Sequence, residues 1–216
     1  MQSIQTVSEN TIYVGASDRR LAKFENLFPI PRGVSYNAYV ILDEKTALLD
    51  TADASVGAQF LENVAAALDG RKLDYLIVDH MEPDHAAMIE AVLVRWPDLR
   101  LVVNAKTLPM LKMYFPTDSA AFDDALVVKE GDTLDLGKHK LTFVMAPMVH
   151  WPEVMMTFDT TTGTLFSADA FGTFGALEGA LFADEVDFAG KWLDDARRYY
   201  TNICLLYTSD AADEAR

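Results

Sequence analysis

The sequence has little positive charge, almost no cysteine and no long apolar run. Its 216 residues contain 18 lysine and arginine residues against 33 aspartate and glutamate residues, and the formal net charge is −15. This charge disfavours binding to nucleic acid or to an anionic membrane, because both present phosphate groups. The single cysteine, Cys204, cannot form an internal disulfide. We find no 18-residue apolar segment and no signal peptide, so the sequence predicts a cytoplasmic protein.

The composition is that of a folded domain. Hydrophobic residues make up 50% of the chain and charged residues 24%, which is enough apolar surface for a sizeable core. Two strand-forming runs at 36–42 and 46–50 predict a hairpin. Apolar residues spaced four apart over 54–68 predict an amphipathic helix.

Strands and helices alternate in the rest of the chain. Further strands are predicted over 73–78, 101–103, 126–128, 132–136, 140–146, 154–158 and 164–168, the third and fourth of these as a hairpin. Further helices are predicted over 83–95, 106–114 and 185–200. This order predicts an α/β (α+β) fold in which two mixed sheets are stacked between helices, an αββα sandwich.

Four ionisable residues crowd into six positions directly after the strand predicted over 73–78. They are His80, Glu82, Asp84 and His85, in the pattern His-x-Glu-x-Asp-His. If buried separately, each would need its own partner, whereas a bound metal is a partner that all four share. The alternative is a solvated loop at a helix start, where Asp84 interacts favourably with the helix dipole.

Two later strands also end in residues that bind metals. The strand over 140–146 leads to His150, and the strand over 164–168 leads to Asp169. Three strand ends that offer imidazole and carboxylate groups make a metal site the preferred interpretation.

The alternation of ligand types within the hexad indicates two neighbouring ions. His80 and Glu82 face one ion, whereas Asp84 and His85 face the other. Asp169 is placed to bridge both. Imidazole with several carboxylate oxygens suits iron or manganese better than zinc, and Glu82 favours iron.

The hexad resembles the signature of the flavodiiron proteins, a branch of the metallo-β-lactamase fold whose hydrolytic members usually have histidine where Glu82 stands. Other segments are similar to that family in order and spacing: 28–37, 43–51, 150–152 and 169–172. The similarity extends from about Ile12 to Ile203. The resemblance implies an αββα sandwich of the metallo-β-lactamase type.

The resemblance also implies a non-haem di-iron centre that reduces nitric oxide to nitrous oxide, or dioxygen to water, with electrons from FMN. By position, the implied ligands are His80, Glu82 and His150 for the first iron, Asp84 and His85 for the second, and Asp169 between them. Asp50 is expected either to orient a ligand from outside the centre or to be a turn carboxylate. Trp151 is expected either to face a partner flavin or to pack in the core.

Two further family features concern the end of the chain. Members place one more histidine ligand, and then a flavodoxin-like FMN domain, downstream of the helix that ends near Tyr200. We expect neither here, so residues 1–203 are interpreted as a di-iron domain that is incomplete at its C-terminus. Residues 204–216 resemble a translated adapter sequence from DNA library preparation and are predicted to be a non-native tail. This chain alone is therefore not expected to turn over.

The family resemblance implies partners as well. These are a head-to-tail homodimer, in which FMN of one subunit meets the metals of the other, and a redox donor such as a rubredoxin or a flavoprotein reductase. Two other functions stay open: a binuclear metallohydrolase of the same fold, against which Glu82 argues, and a metal-binding scaffold without turnover. His139 has no carboxylate neighbour in the sequence and is predicted to be a solvated surface residue.

Overall fold

Short strands and helices alternate along the chain in the computed structural model, which describes residues 3–115 and 120–205. The strands are β1 (Gln5–Ser8), β2 (Thr11–Tyr13), β3 (Ala16–Asp18), β4 (Lys23–Phe24), β5 (Phe28–Pro29), β6 (Val34–Tyr36), β7 (Tyr39–Leu42), β8 (Thr46–Leu49), β9 (Tyr75–Ile77), β10 (Arg100–Asn104), β11 (Leu126–Val128), β12 (Thr133–Asp135), β13 (Lys140–Met145), β14 (Met155–Asp159) and β15 (Thr164–Phe166). The α-helices are α1 (Gly57–Leu68), α2 (Pro83–Ala86), α3 (Ile89–Arg95), α4 (Thr107–Tyr114), α5 (Ala120–Asp123), α6 (Phe188–Lys191) and α7 (Leu193–Tyr200). Most of the predicted tail, residues 206–216, lies outside the described residues, so its non-native origin stays a prediction.

The larger sheet has the strand order β1-β2-β7-β8-β9-β10-β11. The predicted hairpin is present as β7 and β8, which pair antiparallel with Tyr39 opposite Leu49. From β8 to β11 the strands are parallel, and Ile77 of β9 lies opposite both Leu49 and Val102. Because parallel strands point the same way, the carboxyl ends of β8 and β9 meet at one edge of this sheet.

The smaller sheet is antiparallel, with the order β12-β13-β14-β15. The prediction that 126–128 and 132–136 form a hairpin is wrong. β11 pairs with β10 in the larger sheet, whereas β12 pairs with β13 in the smaller one. The chain crosses between the sheets at Gly131, whose φ of +76° suits glycine and whose N–H donates to the Phe143 carbonyl. A glycine turn between two apolar runs looks the same in sequence whether or not the runs pair.

Two cores hold the layers together. Between the sheets, the larger sheet contributes Ile41, Leu49, Ile77 and Val102, and the smaller contributes Leu134, Leu141, Phe143 and Met155. On the other face of the larger sheet, Leu48 and Leu76 pack against helical residues that include Phe60, Val64 and Leu68 of α1. The predicted stack of two sheets with helices is therefore present, but only the larger sheet is mixed as predicted, because every pairing in the smaller sheet is antiparallel. On the outer face of the smaller sheet, Val144 and Leu165 remain 36% and 42% exposed.

The helix predicted over 83–95 is divided into α2 and α3. The His85 carbonyl, which would bond the next turn of a continuous helix, instead accepts hydrogen bonds from the Thr51 N–H at 2.8 Å and the Thr51 hydroxyl at 2.6 Å. Thr51 belongs to the turn after β8, so this interruption ties α2 to the end of that strand. Across residues 3–115 and 120–205, none of the helices has the length and apolar character needed to cross a membrane.

Candidate metal centre

The candidate ligands lie together at the edge of the sandwich where several strands end. The chain reaches His80 after β9, His150 after β13 and Asp169 after β15. Next to them, the Met155 N–H of β14 donates to the Asp79 carbonyl at 3.0 Å and joins the two sheets at this edge. Residues that are far apart in sequence are thus brought into one cluster.

The first position is the group formed by His80, Glu82, His150 and Asp169, whose ligand atoms all lie within 4.8 Å of one another. All four residues are buried. Nε2 of His80 lies 3.4 Å from Glu82 Oε2 and 3.3 Å from Asp169 Oδ2. Nε2 of His150 lies 2.9 Å and 3.1 Å from the same two oxygens. Two imidazole nitrogens and two carboxylate oxygens therefore face one point.

The second position is the group formed by Asp84, His85 and Asp169. Nε2 of His85 lies 2.9 Å from Asp169 Oδ1 and 3.8 Å from Asp84 Oδ2. Asp169 thus turns Oδ2 toward the first position and Oδ1 toward the second. Its place between the two groups is the one that the resemblance implies for a bridging carboxylate, and the ligand roles themselves stay predictions.

The imidazoles control the charge of the shared carboxylate. Burial raises the pKa of Asp169, but the charge of His85 and the close approach of the His150 and His80 imidazoles hold that pKa well below its usual range. Burial lowers the pKa of His150, yet its contacts with Asp169 and Glu82 outweigh this and raise the pKa to about 9. Without metal, protons on the imidazoles therefore supply the positive charge that balances the carboxylates.

The pKa values of the two carboxylates in the hexad shift in opposite directions. Burial raises the pKa of Glu82, but a hydrogen bond with His150 and the close approach of the His80 imidazole bring it down to about 2. For Asp84, burial dominates and raises the pKa to about 7. The first position is thus well supplied with cationic partners, whereas the second leaves one carboxylate poorly compensated.

Asp50 contacts the second position from outside. Its Oδ2 lies 2.9 Å from His85 Nδ1, and its Oδ1 accepts the Asp79 N–H at 2.7 Å. This places Asp50 where a residue that orients a ligand must lie, since a ligating histidine usually donates its second ring N–H to such a partner.

Trp151 packs on the imidazoles of the first position. Its ring is perpendicular to the His80 ring, with centroids 5.3 Å apart, and lies 6.2 Å from the His150 ring. It is half-buried against the helix-side core. These contacts agree with the packing alternative, and a role toward flavin stays a prediction.

Two residues that contact the ligands were missed by the sequence reasoning. Glu153 Oε1 lies 2.8 Å from His80 Nδ1, and the Tyr199 hydroxyl donates to Asp169 Oδ1 at 2.8 Å. The sequence contained an indication of Glu153, because it is an acidic residue in the same loop as His150. It contained none of Tyr199, because only the long-range packing of α7 brings that residue to the site.

The prediction that His139 is solvated is wrong. His139 is 3% exposed, and its Nδ1 lies 2.8 Å from Oδ2 of Asp159, which is also buried. The partner is 20 residues away in sequence, at the end of the neighbouring strand β14, so inspection of adjacent residues could not find it. This pair lies at the opposite end of β14 from the candidate metal centre.

The arrangement fits bound metal ions. Of the buried polar atoms in the described part of the chain, His80 Nε2, Asp84 Oδ1 and Asp169 Oδ2 are among the few without an aligned hydrogen-bond partner. Buried polar atoms are normally satisfied, so three such atoms in one cluster call for a further partner. Imidazole nitrogen and carboxylate oxygen in this proportion are ligands that suit iron or manganese.

Comparison with known proteins agrees with the fold. The sequence profile of the ODP family beta lactamase matches residues 34–201. The chain therefore belongs to the ODP beta-lactamase-like family, and its resemblance to the flavodiiron proteins is confirmed.

Two curated relatives carry names that describe them as nitric oxide reductases. A nitric oxide reductase of Moorella thermoacetica is 36% identical over 94% of this chain and 50% of its own length. An anaerobic nitric oxide reductase flavorubredoxin of Klebsiella pneumoniae is 38% identical over 91% of this chain and 40% of its own. The chain thus spans half, or less, of these relatives.

Solved structures confirm the metallo-β-lactamase type of fold. The rubredoxin oxygen:oxidoreductase of Desulfovibrio gigas matches 93% of this chain and 49% of its own with a TM-score of 0.86 and 31% identity. The flavodiiron protein of Giardia intestinalis matches 94% of this chain and 48% of its own with a TM-score of 0.85 and 27% identity.

Proposed function

We propose that this chain forms the di-iron domain of a flavodiiron oxidoreductase that reduces nitric oxide to nitrous oxide, or dioxygen to water. The observation that carries the proposal is the pair of adjacent ligand groups joined by Asp169. The names of the relatives from Moorella thermoacetica and Desulfovibrio gigas support the two substrates.

The donor set supports iron at both positions. His80, Glu82 and His150 would hold the first iron and Asp84 and His85 the second, with Asp169 shared between them. When bound, the two ferrous ions would supply electrons to the diatomic substrate and would be reduced again by FMN.

The protein's own residues hold the centre and leave a cavity beside it. Asp50 and Tyr199 fix the orientation of His85 and Asp169 by hydrogen bonds of 2.9 Å and 2.8 Å. A cavity of about 270 Å³, lined in part by Asp84, His85 and Phe171, opens at the second position. A cavity of this size beside buried charged groups suits a small substrate and is narrow for an extended one.

Electron delivery needs groups beyond the described residues. By family resemblance, FMN would be carried on a flavodoxin-like domain and presented by the partner subunit of a head-to-tail homodimer. A rubredoxin or a flavoprotein reductase would reduce that FMN. The cytoplasm is the proposed compartment.

A single-turnover experiment tests the proposal. The chain is loaded anaerobically with two equivalents of Fe²⁺, mixed with NO, and the headspace is analysed for N₂O. Two NO molecules, two protons and two electrons form one N₂O and one water, so one N₂O per two ferrous ions is the expected upper limit. The Zn²⁺-loaded chain, which holds no available electrons, is the control and should form none.

The same preparations address the hydrolase alternative. A chain that binds Zn²⁺ in preference to Fe²⁺, forms no N₂O and cleaves a lactone or a thioester would overturn the oxidoreductase proposal. Our expectation is the reverse, because Glu82 places a carboxylate where a zinc hydrolase of this fold usually has a third imidazole.

A further inference from the structure

Glu153 is a buried carboxylate that touches the first position without belonging to it. The residue is 1% exposed. Its Oε1 lies 2.8 Å from His80 Nδ1 and accepts the Met81 N–H at 3.0 Å. We propose that Glu153 is a positioning residue of the first position, which holds the His80 ring with Nδ1 as the donor and Nε2 directed at the metal. The inference rests on the proposed metal centre.

The hydrogen bonds assign the donor and the acceptor. Because Glu153 Oε1 already accepts a backbone N–H, it offers a lone pair to His80, and Nδ1 must therefore donate. A neutral imidazole that is protonated on Nδ1 carries its lone pair on Nε2. That atom is the one that lies 3.4 Å from Glu82 Oε2 and 3.3 Å from Asp169 Oδ2.

Glu153 also fixes the distance between two ligand loops. It follows His150 by three positions in the same loop, while its side chain binds the loop of His80 and Met81. Its backbone carbonyl accepts a hydrogen bond from Asn104 Nδ2. Movement of either imidazole of the first position therefore disturbs a contact of Glu153.

Asn104 connects this arrangement to a rigid element. Its Oδ1 accepts the N–H groups of Lys106 and Thr107, at 2.9 Å and 3.1 Å, where α4 begins. Asn104 itself ends β10 of the larger sheet. Glu153 is therefore held from the backbone side by the sheet and by α4, so its carboxylate has little freedom to follow a displaced ring.

The second position has its own, separate partner. His85 Nδ1 lies 2.9 Å from Asp50, so the two histidines are held by different carboxylates. Loss of Glu153 should consequently affect the first position much more than the second. This difference separates positioning from a general effect on stability.

Asp159 offers a matched control. It is buried, and its Oδ2 lies 2.8 Å from His139 Nδ1, so it makes the same kind of contact as Glu153 at the far end of β14. Asp159→Asn should therefore lower the melting temperature without changing metal affinity.

The experiment compares Glu153→Ala, Glu153→Gln and Asp159→Asn by anaerobic Co²⁺ titration in competition with a chelator. We expect Glu153→Ala to weaken the tighter Co²⁺ site by about 10- to 100-fold, the usual cost of losing such a partner. Glu153→Gln keeps an oxygen that accepts the Nδ1 hydrogen and should lose less than Glu153→Ala. The inference is overturned if Glu153→Ala binds Co²⁺ like the unmodified chain, or if it weakens no more than Asp159→Asn.

A second readout does not depend on metal. In the metal-free, ¹⁵N-histidine-labelled chain, the hydrogen-bonded Nδ1 proton of His80 should give a protected low-field signal that Glu153→Ala abolishes and Asp159→Asn retains. An unchanged signal in Glu153→Ala would refute the inference even if Co²⁺ binding were altered. Failure of the unmodified chain to bind Co²⁺ or Fe²⁺ would instead refute the proposed function and leave this signal to judge Glu153.

Discussion

The two metal positions are built in different ways. The first gathers its donors from three separate loops, and all four of its residues are buried. The second takes two of its three donors from the adjacent residues Asp84 and His85 of α2, and Asp84 is only half-buried. The first position depends on the whole fold, because its donors come from loops that are far apart in sequence. The pair Asp84 and His85 lies on one helix and needs a further donor to complete a metal site. We therefore expect tight binding at the first position and weaker, exchangeable binding at the second.

The largest effect should come from Asp169→Ala. Its two oxygens face different positions, and its carboxylate is the common partner of three imidazoles. Removing a direct ligand should cost more than removing an outer partner, so Fe²⁺ affinity should fall at least ~100-fold at both positions. Anaerobic Fe²⁺ titration with chelator competition measures both affinities.

Asp84→Asn is the matched comparison, because it removes a carboxylate from the second position alone. It should weaken the second position and leave the first within about threefold, since Asp84 contributes no donor to the first position and Asp169, the ligand that the two positions share, is retained. Equal losses at the two positions in Asp84→Asn would show that they bind as one unit and not as a strong and a weak site.

The next effect is the pH dependence of the metal-free chain. The pKa of His150 is raised from 6.5 to about 9, so its stabilising contribution is complete below 6.5 and is lost as pH rises through 9. The pKa of Asp84 is raised from 3.8 to about 7, so its contribution is complete below 3.8 and is lost as pH rises through 7. The pKa of Glu82 is lowered from 4.5 to about 2, so its contribution is lost only in acid. The gain from Glu82 and the decline from Asp84 balance at about pH 4, so stability should be greatest there and should fall as pH rises toward about 9.

Thermal unfolding of the metal-free chain between pH 5 and pH 9 tests this expectation. His150 alone accounts for up to about 3 kcal/mol across that range, at 1.36 kcal/mol per unit of pKa difference. His150→Gln should flatten the decline above pH 6.5. A melting temperature that stays level or rises from pH 6.5 to pH 9 would contradict the assignment of protons to the imidazoles.

Much of the fold was predictable because local patterns of apolar residues indicate the strands and helices. The hairpin of β7 and β8 and the helix α1 follow from apolar runs and from spacing by four. The separation of β11 and β12 into different sheets was not predictable, because the partner of each strand depends on long-range contacts. The break between α2 and α3 was also hidden, since it results from the hydrogen bonds that Thr51 makes across the site.

The candidate metal centre also contains residues that local sequence patterns reveal and residues that only the fold brings together. His80 and Glu82 were found because they crowd into one short motif, and Asp169 because it follows a strand. Glu153 and Tyr199 act through contacts with those residues, and such contacts exist only after folding. His139 illustrates the converse error, because a buried pair with Asp159 looks in sequence like an isolated surface histidine.

The smallest effect should come from Trp151→Phe. Trp151 borders the first position, and its ring meets the His80 ring edge to face at 5.3 Å. Phenylalanine retains an aromatic edge there, and such ring contacts contribute only about 0.5 to 1.5 kcal/mol. Fe²⁺ affinity at the first position should therefore change less than about threefold, and affinity at the second position should not change. Chelator competition measures both values, and Asp159→Asn serves as the reference for a change outside the centre. A tenfold loss at the first position would show that Trp151 helps to hold His80 in place, so that the tighter binding expected there would depend on packing as well as on its four donors.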